Sequence, residues 1–318
     1  MFDYLQKSIY ITAMSSRNLS SPNFFDPAIL RKSSIIDKGF ALVNDSLPLP
    51  SIIELSPSGT CNRTCDFCPR SDPAYPIDEN FISIDLTSKL ANQLNAVNFS
   101  GLVMFSGFVE PLLDKNIFEH ISLLRTHLSD SRIEMVTNGD VLNEERLQKL
   151  FASGLSTLLI SVYDSKDDAT RFEKMCHLSG LNDDQFVIRH RYLPPEQDFG
   201  ITMNNRAGMM DSTAHKRPSL SEPLKKPCFY PNYSFFMDYL GDVLLCPHDW
   251  GKKMIVGNFY EQDFIEIWFS QLMMINRKKL NQGDRNFKPC NVCDVQGSLM
   301  GEKHAEAWGK LHNYNIAK

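Results

Sequence analysis

The chain has 318 residues, 42% of them hydrophobic and 22% charged, with a formal net charge of -5. That composition can bury at least one sizeable core, makes two domains a reasonable expectation, and excludes a disordered or collagen-like polymer. The acidic balance, with basic runs no longer than short clusters such as Arg277, Lys278 and Lys279, excludes nucleic acid as an expected partner.

The N-terminus, MFDYLQKSIYITAMSS, has an early acid and no basic region leading into a clean apolar core, and no later stretch approaches a membrane span in length. The expectation is a cytoplasmic protein with no membrane partner. Residues 1–50 end in SLPLP, whose prolines break any preceding helix, so this segment reads as an N-terminal extension.

From Ile52 the chain alternates short apolar strands with helix-like segments. The strands are SIIELS, GLVMF, RIEMV, STLLISVY and QFVIRH; helices are expected from about Leu86, after Asn116, from Asn143 and after Lys166. Such a βαβα series predicts a parallel sheet or partial barrel with helices outside and ligands at the C-terminal strand ends. Period-two alternation places Leu158, Ile160 and Val162 on one strand face and Thr157, Leu159, Ser161 and Tyr163 on the other. By the same parity Glu54 with Ser56, Glu134 with Asn138, and Arg189 with Arg191 mark faces that carry polar groups, so a barrel lined by them has a polar interior.

Beyond about residue 210 the composition shifts, through KRPSLSEPLKKPC, to a hairpin-like YSFFMDYLGDVLLC with its turn at Asp238 to Gly241. Helices are expected from Gln262, from Gln271 and from about Gly301. The division expected is an extension over 1–50, an α/β domain over 51–220 and a smaller cysteine-bearing module over 221–318.

Eight cysteines in a cytosolic chain point to metal binding or catalysis rather than disulfides. The stretch CNRTCDFCPR packs Cys61, Cys65 and Cys68 into one loop with no fourth cysteine beside them. A structural zinc site wants four closed ligands, whereas an iron-sulfur cube held by three cysteines leaves one iron open. On the residues alone, zinc and accidental spacing stay open.

With the aromatic Phe67, and following directly on a strand, this C-x3-C-x2-C spacing resembles the signature of the radical S-adenosylmethionine (radical SAM) enzymes. The resemblance implies a partial (β/α)6 TIM-like barrel and a 4Fe-4S cluster whose open iron binds the amino and carboxylate groups of SAM. Reductive cleavage of SAM then yields a 5'-deoxyadenosyl radical that abstracts a substrate hydrogen, with the electron drawn from a donor such as flavodoxin or ferredoxin. By the same resemblance, Phe67, the backbone around Gly107, Glu110, Asn138 and Ser161 are cofactor-binding. FSGFVEP resembles the family's glycine-glycine-glutamate motif, from which Phe108 and Val109 depart; Glu110 would meet the SAM ammonium. VTNGD and ISVYD resemble the strand ends that meet the rest of SAM. Arg189 and Arg191 suit the SAM carboxylate or an anionic substrate. The plainer alternatives are a turn, a helix cap or a solvated charge.

The second group comprises Cys228, Cys246, Cys290 and Cys293. Twelve residues separate Cys228 from Gly241 and four more lead to Cys246, which resembles the opening of the SPASM and twitch extensions of radical SAM enzymes. No cysteine follows Cys293, so the pattern resembles the shorter twitch form with one auxiliary 4Fe-4S cluster. A zinc ribbon is the rival reading for these four thiols.

Cys176 is left over: either a buried free cysteine or, if catalytic, the hydrogen donor that a radical epimerase needs. His248 and Asp249 adjoin the second group and suit proton handling, or form ordinary surface. The reading reached is dehydrogenation of a sugar or aminocyclitol-like small molecule, with the auxiliary cluster as electron acceptor. The alternatives are a sugar epimerase, a maturase of ribosomal peptides, and a non-catalytic zinc or iron-sulfur protein. The extension is short for an independently folded leader-binding domain, which favours the small carbohydrate-like substrate.

Overall fold

The computed structural model describes residue 26 and residues 28–317. Helix α1 (Ala28–Lys38) and a two-stranded ribbon, β1 (Leu42–Val43) with β2 (Leu47–Pro48), come first. Five strands and four helices then alternate: β3 (Ile52–Ser56), α2 (Ile84–Ala96), β4 (Leu102–Phe105), α3 (Ile117–His127), β5 (Arg132–Thr137), α4 (Glu144–Ala152), β6 (Thr157–Val162), α5 (Lys166–Leu178) and β7 (Phe186–His190). The C-terminal part holds α6 (Tyr230–Tyr233), β8 (Ser234–Asp238), β9 (Asp242–Leu244), β10 (Ile255–Asn258), α7 (Phe264–Trp268), α8 (Gln271–Asn281) and α9 (Glu302–His312).

One eight-stranded sheet runs β10-β9-β8-β3-β4-β5-β6-β7. Neighbours from β8 through β3 to β7 are parallel, while β8–β9 and β9–β10 are antiparallel. The result is the α/β partial barrel, but its sixth parallel strand, β8, comes from the C-terminal part and flanks β3 rather than following β7. The two cysteine groups therefore hang from one continuous sheet.

Strand parity sorts the packing. Ile53, Leu55, Val103, Phe105, Ile133, Met135, Leu158, Ile160 and Val162 belong to the large core that the outer helices cover. The other face is plugged by α1, whose Ile36 packs with Ile52, Leu102 and Met104. Strands β3, β4 and β6 are buried throughout, as parallel strands covered on both faces must be.

Capping fixes the helix starts. Ser83, Asn143 and Ser165 accept hydrogen bonds from Leu86 N, Arg146 N and Asp168 N. An Asp263/Glu266 capping box delays α7 to Phe264, past the expected Gln262. The β8–β9 turn falls where expected: Asp238 accepts from Leu240 N and Asp242 N, and Gly241 takes φ +76°. Arg277 sits between the Trp268 and Trp308 rings at 3.9 and 4.0 Å, tying α7, α8 and α9 together. Among the described residues no helix is long and apolar enough to cross a membrane.

Candidate active site and cluster cradles

The loop after β3 carries Cys61, Cys65 and Cys68 to the mouth of the barrel, where all three line a cavity of about 340 Å³. Phe67, Gly107, Glu110, Asn138, Ser161 and Arg189 line the same cavity. Three strand ends and the thiol loop thus meet at one place. The polar parity expected of the strands is what the cavity shows, with Glu54, Glu134, Ser161 and Arg191 among its walls.

Arg63 anchors the loop. It donates to Asp140, beyond β5, at 2.5 and 2.7 Å and to Asp164, beyond β6, at 2.7 and 2.9 Å. Its guanidinium also lies over the Tyr163 ring at 5.2 Å. Arg70 donates to the carbonyls of Phe108 and Gly59, each at 2.6 Å, which joins the loop to the segment after β4. Asn138 donates to Asn62 at 2.7 Å and lies 3.9 Å from the Cys61 sulfur. The Phe67 ring stacks with Tyr163 at 5.7 Å and meets Phe199 at 5.1 Å.

Glycine is required at position 107, where φ is +98° and a Cβ would lie 2.9 Å from that of Ser56. Glu110 is buried and accepts from Thr137 Oγ1 at 2.7 Å, Asn138 N at 2.6 Å and Leu112 N at 2.9 Å. Burial nevertheless pushes its carboxyl up to about 7, against the pull of those three donors.

The two arginines of β7 and its end separate in role. Arg191 is buried, held by Asp26 at 2.6 Å and by the Gly200 carbonyl. Among the described residues, Arg189 has a buried Nε with no hydrogen-bond partner. A buried unpaired donor is costly, so Arg189 is the guanidinium free to take an anionic oxygen.

Several wall residues lay beyond what the sequence revealed. Arg31 of α1 forks onto Glu134 at 2.5 and 2.9 Å, and Lys32 lines the cavity beside it. Helix α1, which lies within the segment read as an extension, is therefore part of the cavity wall, while residues 1–25 lie outside the described residues. Buried Glu54 accepts from Ser106 Oγ at 2.6 Å. Arg206, Tyr230 and Trp250 also line the cavity.

The second cysteine group also converges. Cys228 before α6, Cys246 after β9, and the Cys290/Cys293 turn after α8 line one small enclosed cavity with Asp249 and Arg285. A Cβ on Gly297 would collide with the Cys228 sulfur, so the chain leaves this cradle no spare room. His248 lines both cavities. Its ring meets Tyr230 edge-on at 4.7 Å, and its Nδ1 lies 3.4 Å from Arg206 Nη1, an arrangement that places the ring proton on Nε2.

Both thiol sets fit cluster ligation. Burial pushes the Cys65 thiol up to about 12, with the charges of Cys68 and Cys61 adding to the rise. Cys293 is likewise pushed up to about 12 by burial, and by Cys228. Grouped, buried, mutually repelling thiolates need bound positive charge, which an iron-sulfur cluster supplies.

Cys176 is the exception. It is fully buried among the outer-face core residues with Phe172 and Leu158, whereas the cavity takes Leu159, Ser161 and Tyr163 from the opposite face of β6. Alternation puts α5 and its thiol behind the sheet, away from the cavity lining.

Comparison with known proteins agrees with this geometry. Residues 55–193 match the Radical SAM superfamily, and residues 228–294 match an iron-sulfur cluster-binding domain of the SPASM type. Over 250 residues the chain is 30% identical to the S-adenosyl-L-methionine-dependent 2-deoxy-scyllo-inosamine dehydrogenase of Niallia circulans, covering 77% of this chain and 94% of that protein. The crystal structure of BtrN in complex with AdoMet and 2-DOIA superposes with a TM-score of 0.65 at 27% identity, covering 78% of this chain and 94% of that one. Streptococcus suis SuiB bound to precursor peptide SuiA shares the fold, with a TM-score of 0.53 at 16% identity over 85% of this chain and 77% of that one. The protein belongs to the radical SAM superfamily, and its C-terminal module carries an auxiliary iron-sulfur cluster beside the one that binds SAM.

Proposed function

We propose that this enzyme dehydrogenates a hydroxyl-bearing carbon of an aminocyclitol-like small molecule. One observation carries the reading: the SAM-cluster thiols line the same cavity as Pro247 and His248, the two residues that follow Cys246 of the second cradle. A small polar substrate in that cavity lies between the two redox centres. When loaded, the first cluster and SAM supply a hydrogen-abstracting radical, and the second cluster supplies a one-electron acceptor.

The balance is closed. One electron from the reductant would cleave SAM to methionine and a radical that takes a hydrogen atom from the carbinol carbon, giving 5'-deoxyadenosine; the hydroxyl proton would go to solvent and the remaining electron to the second cluster, so alcohol becomes ketone. Arg189 holds an anionic oxygen, of the SAM carboxylate or of the reacting substrate. Glu54, whose recorded partner is a hydroxyl rather than a cation, suits a substrate ammonium. Glu110, Gly107, Asn138, Ser161 and Phe67 shape the SAM side, and residues 51–220 and 221–318 divide radical generation from electron acceptance.

Exclusion of Cys176 argues against the epimerase alternative. The thiols in the cavity wall are the three of the cluster loop, which leaves none to return a hydrogen atom. The similarity to an aminocyclitol dehydrogenase over nearly its whole length supports the substrate class. A flavodoxin- or ferredoxin-type protein serves as reductant, in the cytoplasm.

The test is anaerobic incubation of the loaded enzyme with SAM, reductant and 2-deoxy-scyllo-inosamine, beside a cyclitol with hydroxyl in place of the amine. Ketone from the aminated substrate, with a raised KM for the other, is expected. Ketone from neither, with SAM cleaved, would remove the substrate proposal.

A further inference from the structure

Arg285 carries a charge that no side chain of the described structure balances. It is 2% exposed, and its donors go to three backbone carbonyls: Lys226 at 2.9 Å, Pro227 at 3.0 Å and Val295 at 3.0 Å. The other buried arginines are provided for, Arg191 by Asp26 and Arg277 by two indole faces. A guanidinium stays protonated under any protein condition, and a buried cation facing only neutral acceptors is costly unless an anion lies nearby.

The nearby anion is the second cradle. Arg285 lines the same enclosed cavity as Cys228, Cys246, Cys290 and Cys293. Four thiolates around a 4Fe-4S core leave a net negative charge, which becomes more negative on reduction. The other charged wall residue, Asp249, has its carboxylate occupied by Lys253 N at 3.0 Å and Met254 N at 2.7 Å.

We propose that Arg285 is the built-in counter-charge of the auxiliary cluster, stabilising its reduced form and so poising it to accept the electron. The inference rests on the reading of that cluster as an electron acceptor. Arg285 acts through the cluster and is a positioning and tuning residue rather than a catalytic one. Its carbonyl partners precede Cys228 and follow Cys293, so it also braces two ligand segments, and the test must separate charge from bracing.

The test is an EPR-monitored redox titration of the anaerobic holoenzyme, with and without SAM and without substrate; the signal that SAM leaves unchanged reports the auxiliary cluster. Arg285→Gln should lower the reduction equilibrium of that cluster about tenfold, a midpoint lower by ~59 mV for one electron, while Arg285→Lys stays near wild type. If the glutamine variant fails to assemble the cluster, retention of full iron by the lysine variant still supports the charge role. An unchanged midpoint in an intact Arg285→Gln protein, or equal iron loss in both variants, overturns it. Because the titration needs no substrate, a moved potential in an enzyme that forms no ketone in the separate assay with substrate would refute only the dehydrogenase reading.

Discussion

Glu110 offers a prediction whose size follows from its surroundings. Its carboxyl titrates near 7 in the folded chain against 4.5 for an unperturbed glutamate. A folded-state value above the unfolded one means that folding favours the protonated form. The stabilisation is complete below about pH 4.5, is lost as pH rises and is gone above about pH 7, a total of about 3 kcal/mol. Between pH 6 and pH 8 about 1 kcal/mol of this is lost. Glu110→Gln removes the titration. Its amide oxygen can still accept from Thr137 and Leu112, but its NH2 faces Asn138 N–H, which now donates to the glutamate at 2.6 Å. That mismatch costs about 1–3 kcal/mol at every pH. Urea unfolding of loaded, SAM-free enzyme at several pH values should therefore show a wild-type midpoint that falls toward pH 8 relative to the variant, with the variant offset downward throughout. Saturating SAM should flatten the wild-type slope, because an ammonium against Glu110 holds it ionised. Parallel wild-type and variant profiles would show that the carboxyl is already ionised at pH 6 and that burial does not govern it.

Three further outcomes follow from the geometry. Gly297→Ala should cost the second cluster alone, since the added Cβ meets the Cys228 sulfur; iron content should halve and the SAM-insensitive EPR signal vanish, while SAM cleavage persists. Arg63→Ala should change global stability by less than about 1 kcal/mol, because its ion pairs are partly exposed. The freed thiol loop should nevertheless weaken SAM binding at least about threefold, as isothermal titration would register. Cys176→Ala should leave ketone formation within about twofold of wild type and cost about 1 kcal/mol of stability from the space left behind α5; loss of turnover in a folded, iron-replete variant would restore the thiol to the chemistry.

The strands, most helices and both thiol sets were legible because each has a local signature. Strand parity grouped Ser161 with Leu159 and Tyr163, and Arg189 with Arg191, and all five line the cavity, since alternation is a property of the backbone itself. The Asp238 to Gly241 stretch marked the β8–β9 turn because that turn needs a left-handed residue, which Gly241 supplies. What stayed hidden depends on distant pairing. Arg31 and Glu134 lie 103 residues apart, and Arg191 and Asp26 lie 165 apart, so nothing in either neighbourhood announces the partner. For the same reason α1 read as an extension, although it plugs the barrel and supplies two cations to its cavity. Cys176 shows the converse: elimination among the cysteines singled it out, and only the face of α5 revealed that the thiol looks away from the site.

The central claim, that hydrogen leaves a substrate carbon irreversibly and its electron passes on, is tested most directly by isotope tracing. An aminocyclitol deuterated at the reacting carbon is incubated anaerobically in ordinary water with enzyme, SAM and reductant. Deuterium in 5'-deoxyadenosine, with ketone formed in equal amount to the deoxyadenosine, is the result this account predicts. Recovery of an epimer that has exchanged its deuterium for solvent hydrogen, without ketone, would contradict it.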